Sequence, residues 1–136
     1  MVAFALRYDG ELRCTAVHLP SGSPLETDAP ADNHGRGERF SPTDLVATGL
    51  GVCVLTTMGI AARGEGIRLD GSAAEVEKHM SADPPRRIAR IVVRVRMAPG
   101  VPQHRRAWLY HIADTCPVRR SLHPDVAVEL GFSWPD

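Results

Sequence analysis

This chain has no excess of charge of either sign. Over 136 residues, 16 lysines and arginines face 16 aspartates and glutamates, for a formal net charge of zero. Nucleic acid and anionic membranes are read through a surplus of positive charge, so neither is expected as a partner. Cysteine is scarce, with three residues (Cys14, Cys53 and Cys116), an odd number and no CxxC spacing. That excludes a disulfide scaffold, and a reducing compartment would keep such thiols free. The six histidines show no HxxxH pattern, so no metal is expected. No GxSxG elbow marks a local serine nucleophile, and no repeat or low-complexity segment breaks the chain. The N-terminus enters a strand-like run at Ala3–Tyr8 without a basic region, apolar stretch or cleavage site, so a cytoplasmic protein is expected. The length predicts a single domain, 1–136.

Charge is also missing locally. Between Asp44 and Arg63 there is none, in a stretch made of Leu, Val, Ile, Met, Ala, Gly and Thr with Cys53 near its middle. A helix that is apolar on every side belongs inside something. Its length just reaches that of a membrane span, but three glycines, three threonines and no aromatic belt argue for a buried central helix instead. Gly49, Gly51 and Gly59 weaken it as a helix while letting neighbouring backbone approach. Ser41 fits as N-cap, Pro42 as the first helical residue and Asp44 as first-turn acid.

Around this helix the pattern is mostly that of strands. Residues 3–19 read as a hairpin turning at Asp9-Gly10, which would put Cys14 opposite Ala5 as a small buried hydrophobe of the sheet. A short strand is expected near Leu25–Thr27. Residues 28–41, rich in Gly, Pro, Asp and Asn, form a loop carrying His34, Arg36, Glu38 and Arg39. From Ile67 the period is two, and two runs joined by SADPPR predict an antiparallel hairpin with Arg90, Arg94 and Arg96 on its wet face. Acidic residues across the pair would neutralise that row. A second helix is expected over 102–114, with Ala107, Leu109 and Ile112 as its apolar stripe, stopping before Cys116-Pro117. Val126, Val128, Leu130, Phe132 and Trp134 alternate as a closing strand. The fold class is α+β.

Cys53 and Cys116 are the residues with possible chemistry. A reactive cysteine needs its thiolate favoured by positive charge or a helix N-terminus. Cys116 has a proline-started turn and Arg119-Arg120 after it, whereas Cys53 sits mid-helix and would depend on a distant basic group. On these grounds alone the pair reads equally as two structural thiols or as a reactive couple.

The segments SPTDLVATGLGVCVLTTM and CPVRRSLHPDVAVELGF resemble the OsmC/Ohr superfamily of thiol-dependent hydroperoxide reductases, and the order of elements resembles it over nearly the whole chain. The resemblance implies an intertwined homodimer, with antiparallel sheets wrapped around two long central helices, one from each chain. It implies Cys53 as the peroxidatic thiol and Cys116 as the resolving one, no cofactor, an organic hydroperoxide as substrate and an external dithiol as reductant. Cys14 has no part in this scheme. Ohr-type members also pair an arginine with a glutamate ten residues before the peroxidatic cysteine. Thr43 stands at that position here, and the acid is Asp44, nine residues before Cys53, about 13.5 Å along a straight helix. Asp44 and Arg39 are the candidates for these two roles, with Arg36, Arg7 and Arg13 as further candidates for the cation. The resemblance is closer to the OsmC-like subgroup than to Ohr proper. The competing reading is a redox-responsive or small-ligand-binding protein on the same fold, without turnover.

Overall fold

The computed structural model describes all 136 residues. Internal contacts divide the chain into two compact units, Met1–Val46 and Ala47–Asp136. Six strands and three α-helices follow one another as two groups of strands separated by the long helix, so the α+β class holds.

The first unit carries an antiparallel sheet in the order β1 (Phe4–Gly10), β2 (Arg13–His18), β3 (Ser23–Asp28). Its first turn differs from the expected one. Gly10 pairs with Arg13 and a bulge falls between Tyr8 and Gly10, so Glu11 and Leu12 form the two-residue loop, with φ of 54° and 61°. Two consecutive positive φ values are what a type I′ hairpin turn needs. Asp9-Gly10 instead serves the bulge, where the Asp9 carboxylate binds Arg7 and accepts from the Thr15 hydroxyl. The register moves accordingly, and Cys14 faces Tyr8 rather than Ala5.

After β3 the loop folds back on the sheet. The Asp28 amide donates to the Phe40 carbonyl at 3.1 Å, and Phe40 bridges Thr27. A Cβ on Gly35 would lie 1.8 Å from the Ala29 carbonyl oxygen, so this approach is open only to glycine. Helix α1 (Pro42–Gly64) follows and runs on into the second unit.

In the second unit β4 (Ala73–Met80) and β5 (Ile88–Arg96) form the expected antiparallel pair. The closing strand β6 (Ala127–Ser133) joins β5 in parallel, so this sheet is mixed and the expectation of antiparallel sheets is corrected. A parallel neighbour requires a crossover connection. Here the crossover carries α2 (Arg106–Asp114) and α3 (Pro117–Ser121). Of the arginine row, one member is paired across the hairpin as expected and a second is paired instead by the closing strand. Arg94 pairs with Glu77 across β4, and Arg90 with Glu129 of β6 at 2.9 Å.

The core of this unit joins Leu50, Val54, Met58 and Ala62 of α1 to Ile91, Val93 and Val95 of β5 and Leu109 and Ala113 of α2. On α2 the buried positions are Leu109 and Ala113, with Trp108 and Ile112 packed beside them, while Ala107 is exposed. The stripe therefore keeps Leu109 and Ile112 as expected, loses Ala107 and gains Trp108 and Ala113. Of the α1 glycines only Gly51 meets a neighbour, since a Cβ there would lie 2.6 Å from Val76 Cγ2. The helix is not enclosed all round within one chain. Its face opposite the core leaves Val52 56% and Ile60 69% exposed.

Candidate functional site: two thiols between the long helix and the crossover

Cys53 and Cys116 belong to the second unit, and the fold brings them together. Cys53 stands on the flank of α1 adjoining the buried face that Leu50, Val54 and Met58 turn to the core, and it is half-buried against the core cluster. The Thr57 hydroxyl, one turn on, donates to the Cys53 carbonyl at 2.6 Å, a local back-bond that helical threonine makes readily.

Cys116 is placed by the crossover. Leu109 and Ala113 seat α2 on the core, 0% and 1% exposed, and the Arg105–Glu65 ion pair at 2.5 Å ties the start of that segment to the turn after α1. Pro117 then prevents α2 from continuing and starts α3, with Cys116 as its N-cap. The Arg119 amide donates to Cys116 Sγ at 3.5 Å. Cys116 is 1% exposed, and its thiol lies within hydrogen-bonding reach of that of Cys53. Both are free thiols.

Electrostatics at Cys116 run against the sequence-based argument. Burial pushes its pKa up, with the adjacent Cys53 adding to the shift, while the Arg119 and Val118 amides pull the other way without prevailing. The arginine side chains meant to help are turned elsewhere. The Arg120 guanidinium donates to the Thr115 carbonyl at 3.0 Å, and Arg119 Nε lies 4.0 Å from Asp114. Desolvation of a thiolate outweighs two peptide dipoles here.

The other candidates lie in the first unit. Asp44 and Ser41 form a reciprocal capping box, the Ser41 amide donating to Asp44 Oδ2 at 2.9 Å and the Asp44 amide to Ser41 Oγ at 3.1 Å. No break in α1 brings Asp44 nearer to Cys53 along the helix. Arg39 Nε donates to Glu26 at 3.2 Å and its Nη1 to the Glu38 carbonyl. Arg7 pairs with Asp9, Arg13 lies between Asp28 and Glu38 at 3.5 and 3.1 Å, and Arg36 is exposed in the loop. Sequence reasoning passed over Asp28, which is 1% exposed and accepts the Glu38 amide at 3.1 Å. That amide and Arg13 hold its carboxyl below the usual carboxylate range against the cost of burial. The only signal was an acid at the head of a loop, which by itself reads as solvated. No group of three or more His, Cys, Asp or Glu side chains gathers as a metal site.

A long helix carrying one thiol, a second thiol at the head of a crossover helix, and two three-stranded sheets define a dithiol protein of the α+β class. The OsmC-like protein family matches residues 35–131, and the chain belongs to that family. A crystal structure from Psychrobacter arcticus 273-4, of a candidate osmotic stress induced and detoxification response protein, is 42% identical with a TM-score of 0.92, covering 98% of this chain and 96% of that one. The organic hydroperoxide resistance protein OsmC of Legionella pneumophila shares the fold at 19% identity and TM-score 0.75, over 98% and 96% of the two chains. OhrB of Bacillus subtilis, an organic hydroperoxide resistance protein, does so at 18% identity and TM-score 0.68, over 98% of each. No curated protein sequence matches the chain.

Proposed function

We propose that the protein is a thiol-dependent peroxidase that reduces organic hydroperoxides. The observation that carries the reading is the approach of two free thiols with different exposure, Cys53 half-buried and Cys116 enclosed. Family membership adds to it, since the family includes organic hydroperoxide resistance proteins.

The Cys53 thiolate attacks the terminal peroxide oxygen, the O–O bond breaks, and the alkoxide leaves as alcohol after taking a proton. Cys53 is then a sulfenic acid. The Cys116 thiolate attacks its sulfur and expels the hydroxyl as water, closing a disulfide. An external dithiol restores both thiols by exchange and is itself oxidised. The apolar residues that flank Cys53 favour a hydroperoxide with a hydrocarbon body. Arg39 is the first candidate for the cation that favours the Cys53 thiolate, with Arg36, Arg7 and Arg13 as the others. Asp44 is assigned an indirect part, because its capping box sets where the cysteine helix begins. The working unit is a homodimer in which a second copy covers the bare apolar faces. A reducing, cytoplasmic setting keeps the thiols ready, and neither nucleic acid nor a membrane takes part.

Turnover tests the reading. With dihydrolipoamide as reductant the wild type consumes cumene hydroperoxide and Cys53→Ser does not. Arg39→Ala lowers kcat/KM and moves its pH profile upward. Equal activity of wild type and Cys53→Ser would remove the peroxidase. Stoichiometric oxidation without turnover would favour a redox-responsive protein.

A further inference from the structure

Reduction of the disulfide is not symmetric in this fold, because its two sulfurs differ in access. Cys116 is 1% exposed and enclosed by the core cluster, and its sulfur accepts the Arg119 amide at 3.5 Å. Cys53, by contrast, is only half-buried. Thiol–disulfide exchange is an in-line displacement, so the incoming thiolate must reach one sulfur from the side opposite the other. Behind Cys116 that line is occupied by packed protein, and interiors this dense leave no room for an incoming sulfur.

We infer that the reductant attacks Cys53 and that Cys116 is the leaving thiol. This rests on the dithiol reading above and names the sulfur at which the partner docks. The reductant's thiolate forms a bond to Cys53 Sγ, the Cys53–Cys116 bond breaks, and the electron pair goes to Cys116, which is reprotonated. In the second exchange the reductant's other thiolate attacks the reductant sulfur of the mixed disulfide, releasing Cys53 and leaving the reductant oxidised as its own disulfide. Two electrons pass from the dithiol to the protein. The Arg119 amide donates to Cys116 Sγ and so offers one hydrogen bond to the sulfur that takes up charge when the bond breaks, but burial raises the pKa of that thiol, so access and not leaving-group strength selects the sulfur that is attacked. Cys53 then alternates between two partners, peroxide and reductant, while Cys116 meets neither.

The test needs neither peroxide nor a variant. Wild-type protein is oxidised with diamide, exposed briefly to 2-mercaptoethanol, quenched in acid, alkylated and mapped by peptide mass spectrometry. The expected product carries mercaptoethanol on Cys53 and the alkyl group on Cys116. The reverse labelling, or equal amounts of both, overturns the inference and leaves the dithiol reading in place. Failure of diamide to link Cys53 to Cys116 overturns both. As a second measurement, single-cysteine proteins carrying Cys14→Ser together with Cys53→Ser or Cys116→Ser are titrated with 5,5′-dithiobis(2-nitrobenzoate). Cys53 is expected to react at least about tenfold faster than Cys116, in line with the dependence of thiol reactivity on access, and equal rates count against the inference.

Discussion

Burial distinguishes the two thiols more strongly than their positions in the chain. Cys116 is the better placed by sequence, at a helix start with two arginines following, yet enclosure raises its pKa. Because a sulfenic acid is resolved by thiolate and not by thiol, and burial raises the Cys116 pKa, disulfide closure is expected to accelerate with pH and to go on accelerating above the free-cysteine value of about 8.5. Stopped-flow fluorescence after a peroxide pulse reads this step, and a flat profile would contradict a buried resolving thiol. Asp28 shows the opposite shift. Its folded pKa is depressed, so the stability it contributes is present above the unfolded carboxylate pKa and is lost as pH falls through the folded value. The stability gap between wild type and Asp28→Asn is therefore expected to narrow from about pH 5 toward pH 2, as carboxylates titrate. Urea titrations at several pH values measure it. This carboxylate was not legible in the sequence, because its burial depends on an amide ten residues away folding back onto it.

At the level of elements, α1 was legible from its lack of charge, its Ser-Pro start and its Asp44, which caps it through side-chain and backbone bonds together. Which of its glycines mattered was not, since that depends on where Val76 arrives from β4. Gly51→Ala would gain about 1 kcal/mol of helix propensity. It would also press on Val76, and overpacking of this kind costs about 1–3 kcal/mol. Net destabilisation is expected in thermal melts, relieved by adding Val76→Ala, whereas a stabilised single variant would contradict the close contact. Strand β6 shows the other side of legibility. The alternation of Val128, Leu130 and Phe132 identified the strand and its inner face, but a period of two carries no direction, so parallel pairing with β5 could not be read. The displaced hairpin turn has a similar cause. Asp9-Gly10 is a turn signal that a bulge can use as well.

For the whole molecule, the main feature is apolar surface that one chain does not cover. Phe4, Leu6 and Tyr8 on one face of β1 are 58%, 74% and 64% exposed, and Val52 and Ile60 on α1 are bare as well. Each unit thus leaves large apolar side chains bare, exposed apolar surface is where proteins associate, and the proposed homodimer would account for it. Val52→Glu is expected to shift the protein from dimer to monomer in sedimentation velocity and to lower its thermal stability. A wild type that sediments as a monomer would contradict the assembly. The sequence had shown that the helix needed a cover; which of its faces lacked one depended on how the sheet packs against the other.

The central claim is that Cys53 and Cys116 act as one peroxide-reducing couple, and a single stoichiometric reaction tests it most directly. Reduced wild-type protein is mixed with one equivalent of cumene hydroperoxide without reductant, and both products are analysed by mass spectrometry. The account predicts one equivalent of cumyl alcohol and a protein lighter by two hydrogens, linked Cys53 to Cys116, with Cys116→Ser instead stopping at a Cys53 sulfenic acid. Unconsumed peroxide, or oxidation that leaves Cys53 as a free thiol, would contradict it.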